Sequence, residues 1–215
     1  MRRIALVLFL LSSCAVSLRA RDVDFENDVM PILGRYGCNA GPCHGKSGGQ
    51  GGFQLSLLGF DPNSDFNVIT KDAGGRRILR ADPDKCLFLT KPSAVIPHGG
   101  GRRLARAGPE YKLLRDWIAA GAPRRVEKAP KLLGISVEPP QVVLANAEIA
   151  KMSVTAKYDD GSTREVTRLT SFLSNEAPIA AVDEHGTVKA GSITCLLYTS
   201  PSPRDQRGSR MPSSA

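Results

Sequence analysis

The hydrophobic period changes once along this chain, and the change falls within residues 124–131. Ahead of that stretch apolar residues recur at helical spacing; beyond it they alternate every second residue. A chain with both periods needs a helical unit followed by a β unit. In the first unit Phe25, Val29, Ile32, Leu33 and Tyr36 share one helical face, with Asp24 as N-cap. Pro31 removes one hydrogen bond from this helix and predicts a kink or a late start. A second helix is expected from Pro109 to Ala120, with Tyr111, Leu114, Trp117 and Ile118 as its apolar face and Gly121 as its end. Between them lie a glycine-rich loop (Gly45 to Gly52), an apolar stretch (Phe53 to Leu58) and a short helix around Lys85 to Leu89.

Residues 124–131 are polar and read as a linker. From Leu132 onward Ile135 and Val137, then Met152, Val154, Ala156 and Tyr158, alternate with polar residues as half-buried strands do. Asp159-Asp160-Gly161 and Glu184-His185-Gly186 predict hairpin turns. Short strands at this spacing suggest a small β-sandwich over 132–194.

Neither end reads as part of the fold. Arg2 and Arg3 precede an apolar run from Ile4 to Leu11 and then small residues, the layout of a secretory signal spanning 1–20. Cleavage after Ser17 or Ala20 fits an ordinary signal. Leu11-Ser12-Ser13-Cys14 also fits a lipoprotein signal, in which Cys14 carries the lipid; only that lipid would tie the chain to a membrane. Export to the periplasm or beyond puts the remaining cysteines in an oxidising compartment. At the other end, Cys195 to Asp205 resembles a translated transposase sequencing adapter, and Ser209 to Ala215 the primer that follows one. Residues 195–215 are therefore expected to be an artefactual, disordered tail, and the chain before them a fragment cut off within its β unit.

The ends also distort the charge. The formal net charge of +8 suggests an anionic partner such as nucleic acid. Arg2, Arg3 and Arg19 in the signal, and Arg204, Arg207 and Arg210 against Asp205 in the tail, supply five of those charges. The remaining arginines are scattered with few aromatics among them, so no nucleic-acid partner is expected. With 41% hydrophobic and 23% charged residues, the chain is neither wholly disordered nor a multi-span membrane protein.

The chemistry-bearing stretch is Cys38-Asn39-Ala40-Gly41-Pro42-Cys43-His44-Gly45. In C-x-x-C-H, two thiols bond the vinyl groups of a haem and the adjacent His ligates its iron. Here the order is kept but the spacer is four residues long. Gly41 and Pro42 allow a tight excursion that keeps both sulfurs within reach. A Cys38–Cys43 disulfide is the competing reading in an exported chain. A zinc site is disfavoured, since one His and no further Cys pair are at hand. Cys86 reads as a buried free thiol. Gly48-Gly49-Gln50-Gly51-Gly52 lacks the strand and helix of a dinucleotide-binding loop. Of the basic groups, Arg76-Arg77, Arg102-Arg103-Arg106 and Arg124-Arg125 are mostly solvated faces, with one pair available for haem propionates. No Ser/His/Asp or paired-carboxylate order can be assigned, so the fragment reads as an electron carrier before an enzyme.

A wider set of residues carries a resemblance. Val23 to Leu33, the Cys/His motif, Gly48 to Phe53, Gly59-Phe60-Asp61-Pro62, Asp82 to Leu87, Ile96 to Gly101 and Leu114 to Pro123 together resemble the planctomycete-type cytochrome c domain. Gly134 to Val137, Tyr158 to Thr163 and Gly186 to Ala190 resemble the start of a bacterial Ig-like domain of group 2. The resemblance covers about 170 residues. It implies a multidomain α + β chain: a small, mainly helical cytochrome c-like domain over 22–123, then a truncated Ig-like β-sandwich over 132–194. It also implies covalent haem c on Cys38 and Cys43, with His44 as the proximal iron ligand. Related domains place a Met just ahead of the last helix; here Ile96-Pro97-His98 stands there, making His98 the candidate distal ligand. Two imidazoles would give a lower potential than a thioether ligand. The expected partner is a redox protein or a missing C-terminal oxidoreductase region. The alternative is a non-haem Ig-like adhesion or carbohydrate-binding protein with the Cys38–Cys43 disulfide.

Overall fold

The computed structural model describes residues 22–192; the signal-like segment 1–20 and the tail 195–215 lie outside them. The described chain is a mixed α/β structure with a few helices followed by two small antiparallel sheets.

The first helix starts where its cap predicts. The Asp24 carboxylate accepts from the Asn27 amide at 3.0 Å. One wide π-type turn (Phe25–Val29) precedes the α-helical part, α1 (Met30–Arg35). Pro31 sits in the first turn of α1, where a proline lacks no bond the helix needs, so the expected kink appears instead as this change of winding. Then follow α2 (Pro62–Thr70), α3 (Leu87–Thr90) and α4 (Pro109–Ala119). The apolar stretch Phe53 to Leu58 forms no strand, only an isolated bridge between Gln50 and Phe53. The first and last helices share the core: Phe25 and Trp117 are fully buried, with ring centroids 5.7 Å apart. Phe66 of α2 meets Phe25 edge-on at 5.2 Å. Each such buried aromatic is worth about 1.5–3 kcal/mol of apolar burial, plus about 0.5–1.5 kcal/mol from ring geometry.

In the β unit, β1 (Leu132–Glu138), β3 (Ser153–Tyr158) and β4 (Thr163–Glu165) form one sheet in the order β1-β3-β4. The strands β2 (Ile149–Lys151), β5 (Ala180–Val182) and β6 (Thr187–Ala190) form the other, in the order β2-β6-β5. Both expected hairpin turns occur, each with a glycine at positive φ: Gly161 between β3 and β4, and Gly186 between β5 and β6. Met152 separates β2 from β3 and donates its amide to the Gly186 carbonyl at 2.8 Å, so the chain changes sheets there. The buried apolar residues of this unit are Val154, Ala156 and Tyr158, while Leu133, Ile135 and Ile149 are exposed.

Residues 124–131 differ from the free linker their polarity suggests. Arg125 pairs with Glu26 at 2.7 Å, and the Val126 amide donates to the Asp24 carboxylate at 3.2 Å. Arg124 also pairs with Glu26, and its guanidinium lies over the Phe25 ring. The charges that read as solvating instead fasten the segment to the start of the first helix. The β unit is fastened in the same manner. Arg164 of β4 reaches fully buried Asp28 at 2.6 Å, and Arg35 donates to the Thr170 carbonyl at 2.9 Å.

Candidate functional site

Cys38 follows the last turn of α1, and the motif then folds back on itself. The His44 amide donates to the Cys38 carbonyl at 3.0 Å, while the Cys43 and Gly45 amides both converge on the Ala40 carbonyl at 3.0 Å. These bonds close the four-residue spacer into a compact loop that returns His44 to the position where it left the helix. Gly45 is required for this closure, because a Cβ there would collide with the Asn39 carbonyl oxygen. Asn39 itself is buried beneath the loop.

Cys38, Cys43, His44 and His98, although up to sixty positions apart in sequence, line one cavity of about 490 Å³. That volume lies within the usual range for small-molecule sites, about 300–1,000 Å³. Its walls include Ile32, Leu33, Phe88, Leu104 and Leu114. The charged groups lining it are all cationic: Arg76, Arg77, Lys91 and Arg103. An apolar chamber with a cationic lining suits a largely apolar ligand that carries negative charge at its edge.

The two imidazoles lie near one another in the lining of this cavity. Their ring centroids are 6.4 Å apart and their planes are inclined by 19°. Each ring is held by its Nδ1, that of His44 at 2.8 Å from the Phe53 carbonyl and that of His98 at 2.8 Å from the Gly101 carbonyl. A carbonyl only accepts, so each Nδ1 carries the proton and each Nε2 presents a lone pair. That is how a metal-binding histidine is oriented by its outer partners. Burial pushes the His44 pKa below its ordinary value, outweighing the opposing Phe53 hydrogen bond, with the neighbouring His98, Arg77 and Lys91 acting in the same direction as burial. The imidazole is thereby kept neutral and able to act as a ligand. Phe53 also stacks obliquely on His44, with centroids 4.5 Å apart.

The loops around both rings are built for these contacts. Gly49 has φ +60°, and a Cβ on it would strike the Phe53 carbonyl that anchors His44. On the opposite wall, the Gly101 amide donates to the His98 carbonyl at 2.9 Å and Arg103 Nε donates to the Gly100 carbonyl at 2.9 Å. Arg77 is not a solvated charge. It is buried and donates to the carbonyls of Val68, Asp72 and Gly52, with its guanidinium 4.7 Å above the Phe53 ring. Arg76, Lys91 and Arg103 remain exposed at the rim.

Cys38 and Cys43 are free thiols, as is buried Cys86. Burial raises the Cys38 pKa to about 11, with the neighbouring Cys43 adding to the shift. Among the described residues no group of three or more His, Cys, Asp or Glu side chains could hold a bare metal ion. Met30 packs beside Gly59 and is not among the residues lining this cavity. His185 is exposed at the tip of its hairpin. The carbonyls of Phe53 and Gly101, which hold the two imidazoles, carry no signal in the sequence beyond their glycine-rich surroundings; Tyr36, legible as part of the first helix's apolar face, also lines the cavity. No helix among the described residues is long and apolar enough to cross a membrane. No protein-family model, curated protein or solved structure matches the chain.

Proposed function

We propose that this protein is an exported c-type haem-binding electron-transfer module: a planctomycete-type cytochrome c unit ahead of an Ig-like group 2 unit, forming the N-terminal part of a larger protein. One observation carries the reading. His44 and His98, each with its Nδ1 held by a backbone carbonyl, line an apolar chamber together with Cys38 and Cys43. Their ring centroids lie 6.4 Å apart.

The rest of the donor set fits the same group. A porphyrin supplies four of the six iron ligands, so the protein needs only two nitrogens and no cluster of three. Cys38 and Cys43 would form the thioether bonds. His44 would be the proximal ligand and His98 the distal one. Arg76, Lys91 and Arg103 at the rim suit the two propionates. When bound, haem supplies a one-electron couple, and two imidazole ligands hold its potential below that of a His/Met pair. The chain's own residues keep His44 neutral, fix both rings by their Nδ1 protons and shield the couple from water with Leu33, Phe88 and Leu104. The electron would pass to or from a redox partner protein or a further oxidoreductase region of the full protein. Export to the periplasm or beyond rests on residues 1–20, and attachment to a membrane on lipidation at Cys14.

The test is to express the chain with a cytochrome c maturation system and measure its intact mass and spectrum. Gain of one haem that survives denaturation, with a low-spin spectrum that becomes high-spin in His98→Ala, is the expected result. A chain that gains no haem and has lost only two hydrogens carries the Cys38–Cys43 disulfide, and overturns the proposal in favour of a non-haem binding protein.

A further inference from the structure

A second cavity, of about 580 Å³, opens where the helical unit meets the β unit. The first helix gives it Met30 and Arg35, a later loop Leu58, the connecting segment Lys131, and the β unit Leu132 and Leu169. No residue lines both this cavity and the chamber that holds Cys38 and His44. Its volume also falls in the small-molecule range.

Arg35 is the residue that calls for a ligand here. Its side chain is only 7% exposed, so its charge is held out of water. Nη1 donates to the Thr170 carbonyl at 2.9 Å, but Nε has no hydrogen-bond partner among the described residues. The carboxylate that approaches it is Glu184, 3.8 Å from Nη2 and itself 70% exposed. So loose a counter-ion leaves a buried charge short of the compensation that burial demands. The cavity's own carboxylate does not supply it, because Glu26 is engaged by Arg124 and Arg125. Lys131, exposed on the same lining, adds a second cation with no ion pair among the described residues. Much of the remaining lining is apolar and open to water: Leu58 is 75% exposed and Leu132 53%. Leu58 also has φ +54°, a left-handed conformation that strains a residue with a Cβ, and Leu57 and Phe60 beside it are exposed as well. Apolar side chains left in solvent together mark a binding surface.

We propose that this junction cavity binds a small amphipathic carboxylate, its acid group answering Arg35 and Lys131 and its hydrocarbon body covering Leu58, Leu132 and Leu169. The lining decides the class. A neutral apolar molecule leaves the buried guanidinium uncompensated, and a compact inorganic anion leaves the leucines in water. Since both units contribute residues, a bound ligand also ties one to the other. The inference does not depend on whether the first chamber holds haem.

A methionine provides the readout. Met30 lines this cavity and not the first chamber, and its Cε lies beside Gly59, which is also part of the lining. The full chain, with its methionine methyls labelled with carbon-13, is titrated with decanoate, decanol and inorganic sulfate. Decanoate moves the Met30 methyl resonance, assigned through Met30→Leu, along a saturating curve, and decanol and sulfate each bind at least about tenfold more weakly, the value of a charge-assisted hydrogen bond or more. Arg35→Gln weakens decanoate by a similar factor and Lys131→Gln by less. Lys157→Gln, an exposed charge outside the lining, serves as the control and leaves the curve where it is. Should Arg35→Gln fail to fold, Lys131→Gln carries the comparison, because its side chain is exposed. The proposal is overturned if decanoate leaves the Met30 methyl unmoved, if decanol or sulfate matches decanoate, or if the folded charge variants bind it as tightly as the parent chain.

Discussion

Gly48 and Gly49 separate two costs that usually come mixed. Both have positive φ, +77° and +60°, but a Cβ on Gly48 would meet nothing within 4 Å, whereas one on Gly49 would run into the backbone of Phe53 and Gln54. Replacing either by alanine imposes a left-handed conformation on a residue with a Cβ, at about 1–2 kcal/mol. At Gly49 the Phe53 carbonyl must also move, and it accepts two bonds: from the Gln50 amide at 3.1 Å and from His44 Nδ1 at 2.8 Å. At about 1 kcal/mol for each bond weakened, Gly49→Ala is expected to cost about 3–4 kcal/mol and Gly48→Ala about 1–2 kcal/mol. Denaturant unfolding of the two purified variants beside wild type measures both. In the haem-loaded chain Gly49→Ala should also weaken low-spin character, because His44 loses the carbonyl that orients it. Equal costs for the two variants, or an unchanged spectrum in Gly49→Ala, would show that the Phe53 carbonyl is not what holds His44.

Removing the Trp117 side chain, which is fully buried and donates its indole N–H to the Pro123 carbonyl at 2.9 Å, should cost about 3–5 kcal/mol in the same assay. Arg164→Ala withdraws a charge partner from Asp28, which is fully buried. Because the arginine side chain is 30% exposed and Asp28 keeps the Asp24 amide, we expect a loss of about 2–3 kcal/mol, below the full cost of breaking a buried pair, measured by denaturant unfolding. In the haem-free chain, the depressed His44 pKa favours the neutral ring in the folded state, so its contribution to stability is complete above pH 6.5 and is lost as pH falls through the lower folded value. Unfolding midpoints at pH 7.5 and pH 5 should therefore differ more in the parent chain than in His44→Asn. Residues 132–192 made alone should melt without cooperativity, since Val154, Ala156 and Tyr158 are too small a core for a unit that leaves Leu133, Ile135 and Ile149 in solvent; a sharp calorimetric transition would contradict this.

What the sequence discloses here is what side chains carry. Asp24, Pro109 and the apolar faces of the first and last helices are legible because capping and periodicity are local. The pairing of Cys38, Cys43 and His44 is legible because their order in the chain is itself chemical. His98 could be picked out only by its place ahead of the last helix; its ring orientation comes from a Gly101 carbonyl, and backbone carbonyls leave no mark in a sequence. Arg77 and Arg125 read as solvated because a charge's partners are set by tertiary structure: three carbonyls for the first, Asp24 and Glu26 for the second. Glu110 stands in the first turn of the helix expected from Pro109, while its bond to the β unit depends on a residue 58 positions further on.

The tethers on the first helix bear on the order in which the chain can fold. Asp24 and Asp28 have partners 102 and 136 positions later, at Val126 and Arg164. A chain emerging N-terminus first therefore releases its Cys38–His44 loop long before the groups that fasten it exist. Contacts of such separation form late and close the structure in one step. During that interval the two thiols lie on a segment whose later walls, formed by Leu104 and Leu114, have not yet been made; on the proposed haem reading this is when attachment would take place. The non-local tethers thus act as a timer: the loop is fastened only once Val126 and Arg164 have been made.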